Sequence, residues 1–381
     1  MTAGTGPGVG TAPAPEELVD LARYQLLPGA GHDTLVRRCR DALQQDGVVV
    51  LPGFVRPEAL AAMVDECRYL EPLGHHSEVH NTPYLALPDD TAPEGHPRRA
   101  LVRSSLTAVA HDLFGPDSAL LALYRWPALL TFLAEILGLD EVHPYADPLG
   151  ALNVAVMTEG DELGWHFDQT DFVTSVAVQA PVTGGAFEVA RALRTSEDER
   201  YGAVAAVLDG DRSDVTSVGF DPGALMVFAG RHSMHRVTGI GGDVPRYVAL
   251  LAYDRRPGTD SSELLKLVRY GRTAAVRRRT LKLLNPCPWH PMLTPRFLGI
   301  LPDSPPSAGS PTRRSSLVIP RPKSSRKELG GLRSASGQMA AGFVPTRHRG
   351  GRACTLAWAP TNLPPSRLRM RHSPLPDAWD R

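Results

Sequence analysis

Apolar positions change their period near residue 150. Before it the pattern is mostly helical. Leu35, Val36, Cys39, Ala42 and Leu43 recur three and four apart, with Asp33 placed to cap a helix and Gly47 to end it. Val48-Val49-Val50-Leu51 reads as a short buried strand stopped by Pro52-Gly53, and Pro57 opens a second helix through Leu60, Met63, Val64 and Cys67. Residues 71–99, rich in Pro, His and acidic side chains, read as loop. Residues 101–138 read as helix, with Pro127 at a helix start. From 151 onward the period is that of strands. Segments 151–157, 172–179, 186–190, 224–229, 234–237 and 246–253 are short and β-branched, and are separated by Gly- and Pro-containing turns. One helix is expected inside this series at 196–208 and one after it at 262–284.

Helices followed by a block of strands predict an α+β chain with helices packed on an all-β sandwich or barrel. The expected organisation is a flexible lead over 1–16, one domain over 17–285 (helical 17–150, β-core 151–256) and a tail over 286–381. Hydrophobic residues make up 42% of the 381 residues and charged residues 22%, enough for a sizeable core. The formal net charge of zero hides a division. Residues 301–381 carry fourteen basic against four acidic residues, a net +10, so the rest of the chain carries −10. Those 81 residues also hold 12 Pro and 11 Ser. Such a composition cannot bury enough surface to offset ordering entropy, about 1–2 kcal/mol per residue, and predicts a disordered tail. Its basic residues are dispersed without a recognisable nucleic-acid-binding module, so no nucleic-acid partner is expected.

The four cysteines, Cys39, Cys67, Cys287 and Cys354, form neither a CxxC pair nor a short framework, which fits a reducing, cytoplasmic setting. The first twenty residues lack the basic and apolar regions of a signal peptide, and no run approaches the ~18 apolar residues of a membrane span. No membrane partner is expected, and the sequence leaves the oligomeric state open.

The candidate chemistry lies in Gly164-Trp165-His166-Phe167-Asp168. In an extended segment His166 and Asp168 share a face and are able to bind one divalent metal. His235, in the strand-like Met234-His235-Arg236-Val237, supplies a third ligand. Two histidines and one carboxylate with open positions form the arrangement of non-haem Fe(II) oxygenases. Taken singly, each His is more often an ordinary surface or hydrogen-bonded residue. Arg246 opens the apolar run Tyr247–Tyr253. An arginine facing a sheet interior needs a partner, either a neighbouring acid or the carboxylate of a ligand.

Four motifs occur in order: Trp165–Asp168, Gly184-Gly185-Ala186-Phe187-Glu188, Gly230–Thr238 (GRHSMHRVT) and Tyr270-Gly271-Arg272. Over about residues 30–275 the chain resembles the Fe(II)/2-oxoglutarate-dependent oxygenases of the double-stranded β-helix (jelly-roll) fold. The likeness is to a bacterial branch related to amino-acid hydroxylases and halogenases. The resemblance implies His166, Asp168 and His235 as iron ligands, with His232 as the rival third ligand, and Arg246 as partner of the 2-oxoglutarate carboxylate. The companion hydroxyl two residues after that arginine is absent, since Val248 stands there. Asn153 and Gln179 are candidate polar residues lining the cosubstrate pocket, or ordinary inward polar residues.

The cofactor and cosubstrates implied are Fe(II), 2-oxoglutarate and O2. The implied partner is a small-molecule substrate, a free amino acid or an amine-bearing metabolite. In the halogenating branch a small residue replaces the carboxylate ligand and opens a position for chloride. Asp168 is kept here, which points to hydroxylation. A catalytically silent β-helix protein that senses a metal or ligand is the alternative. Asp171 is either a partner for a substrate ammonium or an exposed hairpin charge. The His-rich segment from His75 to Tyr84 reads as a polar lid.

Overall fold

Five helices lie in the first half of the chain: α1 (Pro15–Leu18), α2 (His32–Asp46), α3 (Pro57–Leu70), α4 (Ala119–Tyr124) and α5 (Pro127–Leu137). Two more, α6 (Tyr201–Leu208) and α7 (Glu263–Tyr270), come later. The strands are β1 (Val48–Leu51), β2 (His75–Asn81), β3 (Val102–Val109), β4 (His143–Pro144), β5 (Leu152–Met157), β6 (Leu163–His166), β7 (Val173–Gln179), β8 (Thr183–Gly184), β9 (Phe187–Ala190), β10 (Val215–Val218), β11 (Leu225–Phe228), β12 (Met234–Val237), β13 (Ile240–Gly241), β14 (Arg246–Leu251) and β15 (Tyr253–Asp254). This computed structural model describes residues 12–276. The start of the lead and the tail expected over 286–381 lie outside the described residues.

Ten strands pair antiparallel in the order β1-β11-β7-β14-β5-β3-β6-β12-β9-β10, and β2 also pairs with β3. β11 and β9 stand seven places apart in that order, about 34 Å across a flat sheet at ~4.8 Å per strand. Yet the rings of Phe228 on β11 and Phe187 on β9 lie 5.2 Å apart. The sheet is therefore curled on itself, a double-stranded β-helix core in an α+β chain.

Side-chain alternation sorts the sheet into two faces. On β5 all six residues are buried. Leu152, Val154 and Val156 pack outward with Val176, Val178, Leu225, Ala249 and Leu251 against the apolar faces of α2 to α5. Ala155 and Met157 point inward with Met226, Phe228, Phe187, Val189 and Val237. Burial on both faces is why this segment reads as a continuous apolar run. A third cluster, Trp165, Phe167, Leu193 and Met234, is covered by Val204 and Val207 of α6. With Trp165 and Phe167 outward, His166 is turned inward.

The helical block expected over 17–150 is corrected. Residues 75–81 and 102–109 are the strands β2 and β3, paired from His75↔Ala108 to Asn81↔Val102. Val102, Leu106 and Val109 happen to fit helical spacing, but pairing to β5 through Thr107↔Val156 decides the conformation. The His-rich segment is thus a paired strand at its start, not a lid loop. β6 and β10, too short to stand out by pattern, were likewise outside the expected strand set.

Helix ends follow their caps. α2 starts one residue before the expected Asp33 cap, with Gly31 at its N-cap, and ends at Gly47 (φ +67°). The His32 ring fixes that start, with Nδ1 3.0 Å from the Gln25 carbonyl and Nε2 2.7 Å from Glu135. α5 begins at Pro127 as expected and ends at Gly138. Of the helix expected at 262–284, α7 forms over Glu263–Tyr270, and residues 277–284 lie outside the described residues. The Ser262 hydroxyl accepts from the Leu265 N–H at 3.2 Å, and Gly271 (φ +67°) closes the helix. No helix among the described residues is long and apolar enough to cross a membrane.

Candidate iron and 2-oxoglutarate site

His166 ends β6 and His235 stands on β12, directly opposite it in the ladder. Their rings lie 4.2 Å apart. Asp168 lies just past the end of β6, where its N–H donates to the Gly230 carbonyl at 3.1 Å. Its Oδ1 is 3.9 Å from His166 Nε2 and 3.5 Å from His235 Nε2. One ligand atom from each of the three residues lies within 4.8 Å of the others.

The hydrogen bonds fit these groups to a metal. His166 Nδ1 is 2.8 Å from the Gly164 carbonyl and His235 Nδ1 is 3.0 Å from the Ser233 carbonyl. A carbonyl only accepts, so each Nδ1 carries the proton, which leaves each Nε2 as the nitrogen able to turn a lone pair to a metal. Burial, and then the neighbouring His235, lowers the His166 pKa to about 4. Burial pushes the Asp168 carboxyl upward, but the His235 and His166 rings and Arg231 outweigh it and hold it below its usual value. Neutral imidazoles and an ionised carboxylate are the states in which these groups bind metal. Asp168 Oδ2 is buried without a hydrogen-bond partner, an acceptor oxygen available to a cation.

The carboxylate fits because of a glycine. A Cβ on Gly230 would overlap Asp168 Oδ2 and stand 2.9 Å from the Phe228 ring. His232 is excluded from this cluster. His235, two residues inside the next stretch of ladder, joins it instead.

Arg246 is buried at 8% exposure and opens β14 on the inward face. Among the described residues it has no carboxylate partner. Its one side-chain contact of this kind is Nη1 to the Met157 sulfur at 3.8 Å. Desolvation lowers its pKa to about 10. A buried, unpaired guanidinium is costly, and no neighbouring acid among the described residues offsets it. The β8–β9 hairpin links this cation to the metal cluster. The Cβ position of Gly185 is 3.0 Å from Arg246 Cδ, and Phe187, two residues on, has its ring 5.5 Å from His235.

The other polar candidates divide. Gln179 donates from Nε2 to the Pro245 carbonyl at 2.8 Å, which leaves it a backbone tie beside Arg246. Asn153 donates to the Gly150 carbonyl at 3.3 Å, while its Oδ1 is buried without a partner. Asn153, Leu250 and Ser175 form one inward row across β5, β14 and β7. Ser175 Oγ is also buried and unpartnered, so this hydroxyl joins the interior although the sequence pattern had not singled it out. Its signal was a lone Ser at inward parity in the apolar run 173–179. Asp171 is not free for an ammonium, because Arg231 holds it at 2.6 Å and Arg255 at 2.5 Å.

A family described as Halogenase D matches residues 31–263. Three solved structures are similar at low identity. An oxidoreductase of the 2OG-Fe(II) oxygenase family from Burkholderia pseudomallei is 14% identical, covering 59% of this chain and 92% of its own, with a TM-score of 0.38. A Pseudomonas putida prolyl-4-hydroxylase is 17% identical, covering 58% and 100%, with a TM-score of 0.38. AviO1 from Streptomyces viridochromogenes is 16% identical, covering 59% and 97%, with a TM-score of 0.40. No curated protein sequence matches. Because the match to the family runs through most of the described residues, from α2 to the start of α7, the chain belongs to the Halogenase D family.

Proposed function

We propose that the protein is an Fe(II)- and 2-oxoglutarate-dependent dioxygenase that hydroxylates a small amino acid or amine-bearing metabolite, and that it does not halogenate. The observation that carries this reading is Asp168. Its carboxylate fills the position that a small residue leaves open in the halogenating branch, and Gly230 is shaped to admit it. When bound, iron with 2-oxoglutarate and dioxygen supplies a two-electron C–H oxidation, and the cosubstrate leaves as succinate and CO2.

The chain's own residues hold and orient. His166, Asp168 and His235 present one face of donor atoms to the metal. Arg246 takes the far carboxylate of 2-oxoglutarate in a two-pronged contact, in an interior that excludes water. Asn153 Oδ1 and the Ser175 hydroxyl offer two further polar contacts in that interior. Gln179 steadies the start of β14, and with it Arg246, through the Pro245 carbonyl.

The test is succinate formation from 2-oxoglutarate, with Fe(II), O2 and a panel of free amino acids and amines, in buffer containing chloride. The expected product is heavier than its substrate by one oxygen. A chlorinated product would overturn the hydroxylase reading, and no stimulation of turnover by any amine in a broad panel would overturn the substrate class.

A further inference from the structure

His166 and His235 are each oriented from behind, through Nδ1, by the Gly164 and Ser233 carbonyls at 2.8 and 3.0 Å. Asp168 has no such support. Its Oδ2 is buried without a partner, and its Oδ1 has charged neighbours only in the two histidines, at 3.9 and 3.5 Å. Among the described residues no hydrogen bond from outside the cluster reaches this carboxylate. Its placement therefore depends on the backbone that carries it. Asp168 lies beyond the end of β6, where the ladder no longer fixes the chain.

That backbone is gripped at successive residues. The Phe167 N–H donates to the Pro83 carbonyl at 2.8 Å, and the Asp168 N–H to the Gly230 carbonyl at 3.1 Å. The Arg194 guanidinium lies 4.1 Å from the centre of the Phe167 ring and donates from Nε to the Arg231 carbonyl at 2.9 Å. Arg231 then reaches back across the turn. Its Nη2 donates to the Gln169 carbonyl at 2.6 Å and its Nε to Asp171 Oδ1 at 2.6 Å. Arg255 holds the other oxygen of Asp171 at 2.5 Å. Besides His235, the GRHSMHRVT stretch thus supplies two consecutive residues that fix the segment carrying Asp168. Gly230 does so by its carbonyl and Arg231 by its side chain.

We infer that Arg231 is a positioning residue for the metal centre: by bridging the Gln169 carbonyl and the Asp171 carboxylate, it holds the Asp168 ligand beside His166 and His235. This rests on the metal-binding reading above and adds a residue that acts through the backbone of one ligand. Arg231 and Asp171 are 45% and 42% exposed, so their ion pair contributes little to global stability. Loss of the guanidinium should therefore be felt at the metal and hardly at all in the melting temperature. A lysine at this position keeps the charge but not the fork that serves both acceptors at once.

The experiment compares full-length wild type with Arg231→Gln, Arg231→Lys and Asp168→Gly. The probe is Co(II), whose visible absorption depends on its ligands. Affinity is read by competition with a chelator, the spectrum is recorded at saturation, and the metal-free proteins are melted separately. Arg231→Gln is expected to bind Co(II) at least about tenfold more weakly than wild type, as when the support of a ligand is lost. Its spectrum should differ from that of wild type, while its metal-free melting temperature stays within about 2 °C. Arg231→Lys should recover part of the affinity. Unchanged affinity and spectrum in Arg231→Gln, beside an Asp168→Gly variant that binds poorly, overturns the inference and leaves the metal reading standing. A metal-free melting temperature several degrees lower in Arg231→Gln shows a general structural role and also overturns it. A wild type that holds no Co(II), or an Asp168→Gly variant that holds it as tightly as wild type, removes the metal reading and the inference with it.

Discussion

Arg246→Met is expected to weaken 2-oxoglutarate binding by two to three orders of magnitude without unfolding the protein. Losing one partner of a buried charge pair costs about 3–5 kcal/mol, and the lower part of that range corresponds to two to three orders in a dissociation constant. Methionine keeps much of the length of the side chain and can pack beside Met157, the neighbour that Arg246 Nη1 touches. In the protein without 2-oxoglutarate the arginine is buried and unpaired among the described residues, so its removal takes away a desolvation penalty. The melting temperature of that form should hold or rise. Arg246→Lys keeps the charge but not the fork, and should lie between. Binding of Fe(II) alone should be unchanged in both variants. Calorimetric titration with 2-oxoglutarate checks the first point and thermal melts the second. Near-normal affinity in Arg246→Met would remove this residue from the cosubstrate site. A melting temperature several degrees lower would show that the guanidinium is paired within the protein after all.

Gly230→Ala should damage the metal site through a single methyl group. The added carbon overlaps Asp168 Oδ2 and presses on the Phe228 ring, which lies 4.7 Å from the His235 ring. The carboxylate must move or the strand end must shift, an overpacking cost of about 1–3 kcal/mol. We expect metal affinity to fall by at least about tenfold, in the range seen when the support of a ligand is removed. Combining it with Asp168→Gly relieves the clash. The double variant should therefore regain melting temperature relative to Gly230→Ala while still binding metal poorly. Wild-type metal affinity in Gly230→Ala would mean that the Asp168 carboxylate is not the group this glycine accommodates.

The sequence was most legible where local pattern and chemistry coincide. His166 and Asp168 two apart, and His235 in MHRV, are recognisable because strand alternation places side chains of like parity on one face. The strand 152–157 was legible because both of its faces are buried. What escaped reading depended on partners far along the chain. β2, spelled His-His-Ser-Glu-Val-His-Asn, has almost no apolar signal and exists as a strand because β3 pairs with it from end to end. Gly230 stands in the sequence only as the first residue of the GRHSMHRVT motif, and only the approach of Asp168, just past the end of β6, shows why a side chain is not tolerated there.

The central claim is that His166, Asp168 and His235 hold one Fe(II), with His232 outside the site. Anaerobic Fe(II) titration of wild type, His166→Ala, His235→Ala and His232→Ala tests it most directly. The account predicts one tightly held iron per chain in wild type and in His232→Ala, and loss of that tight site in His166→Ala and in His235→Ala, with all four proteins folded by circular dichroism. Tight stoichiometric binding that survives in His235→Ala, or that disappears in His232→Ala, would contradict it.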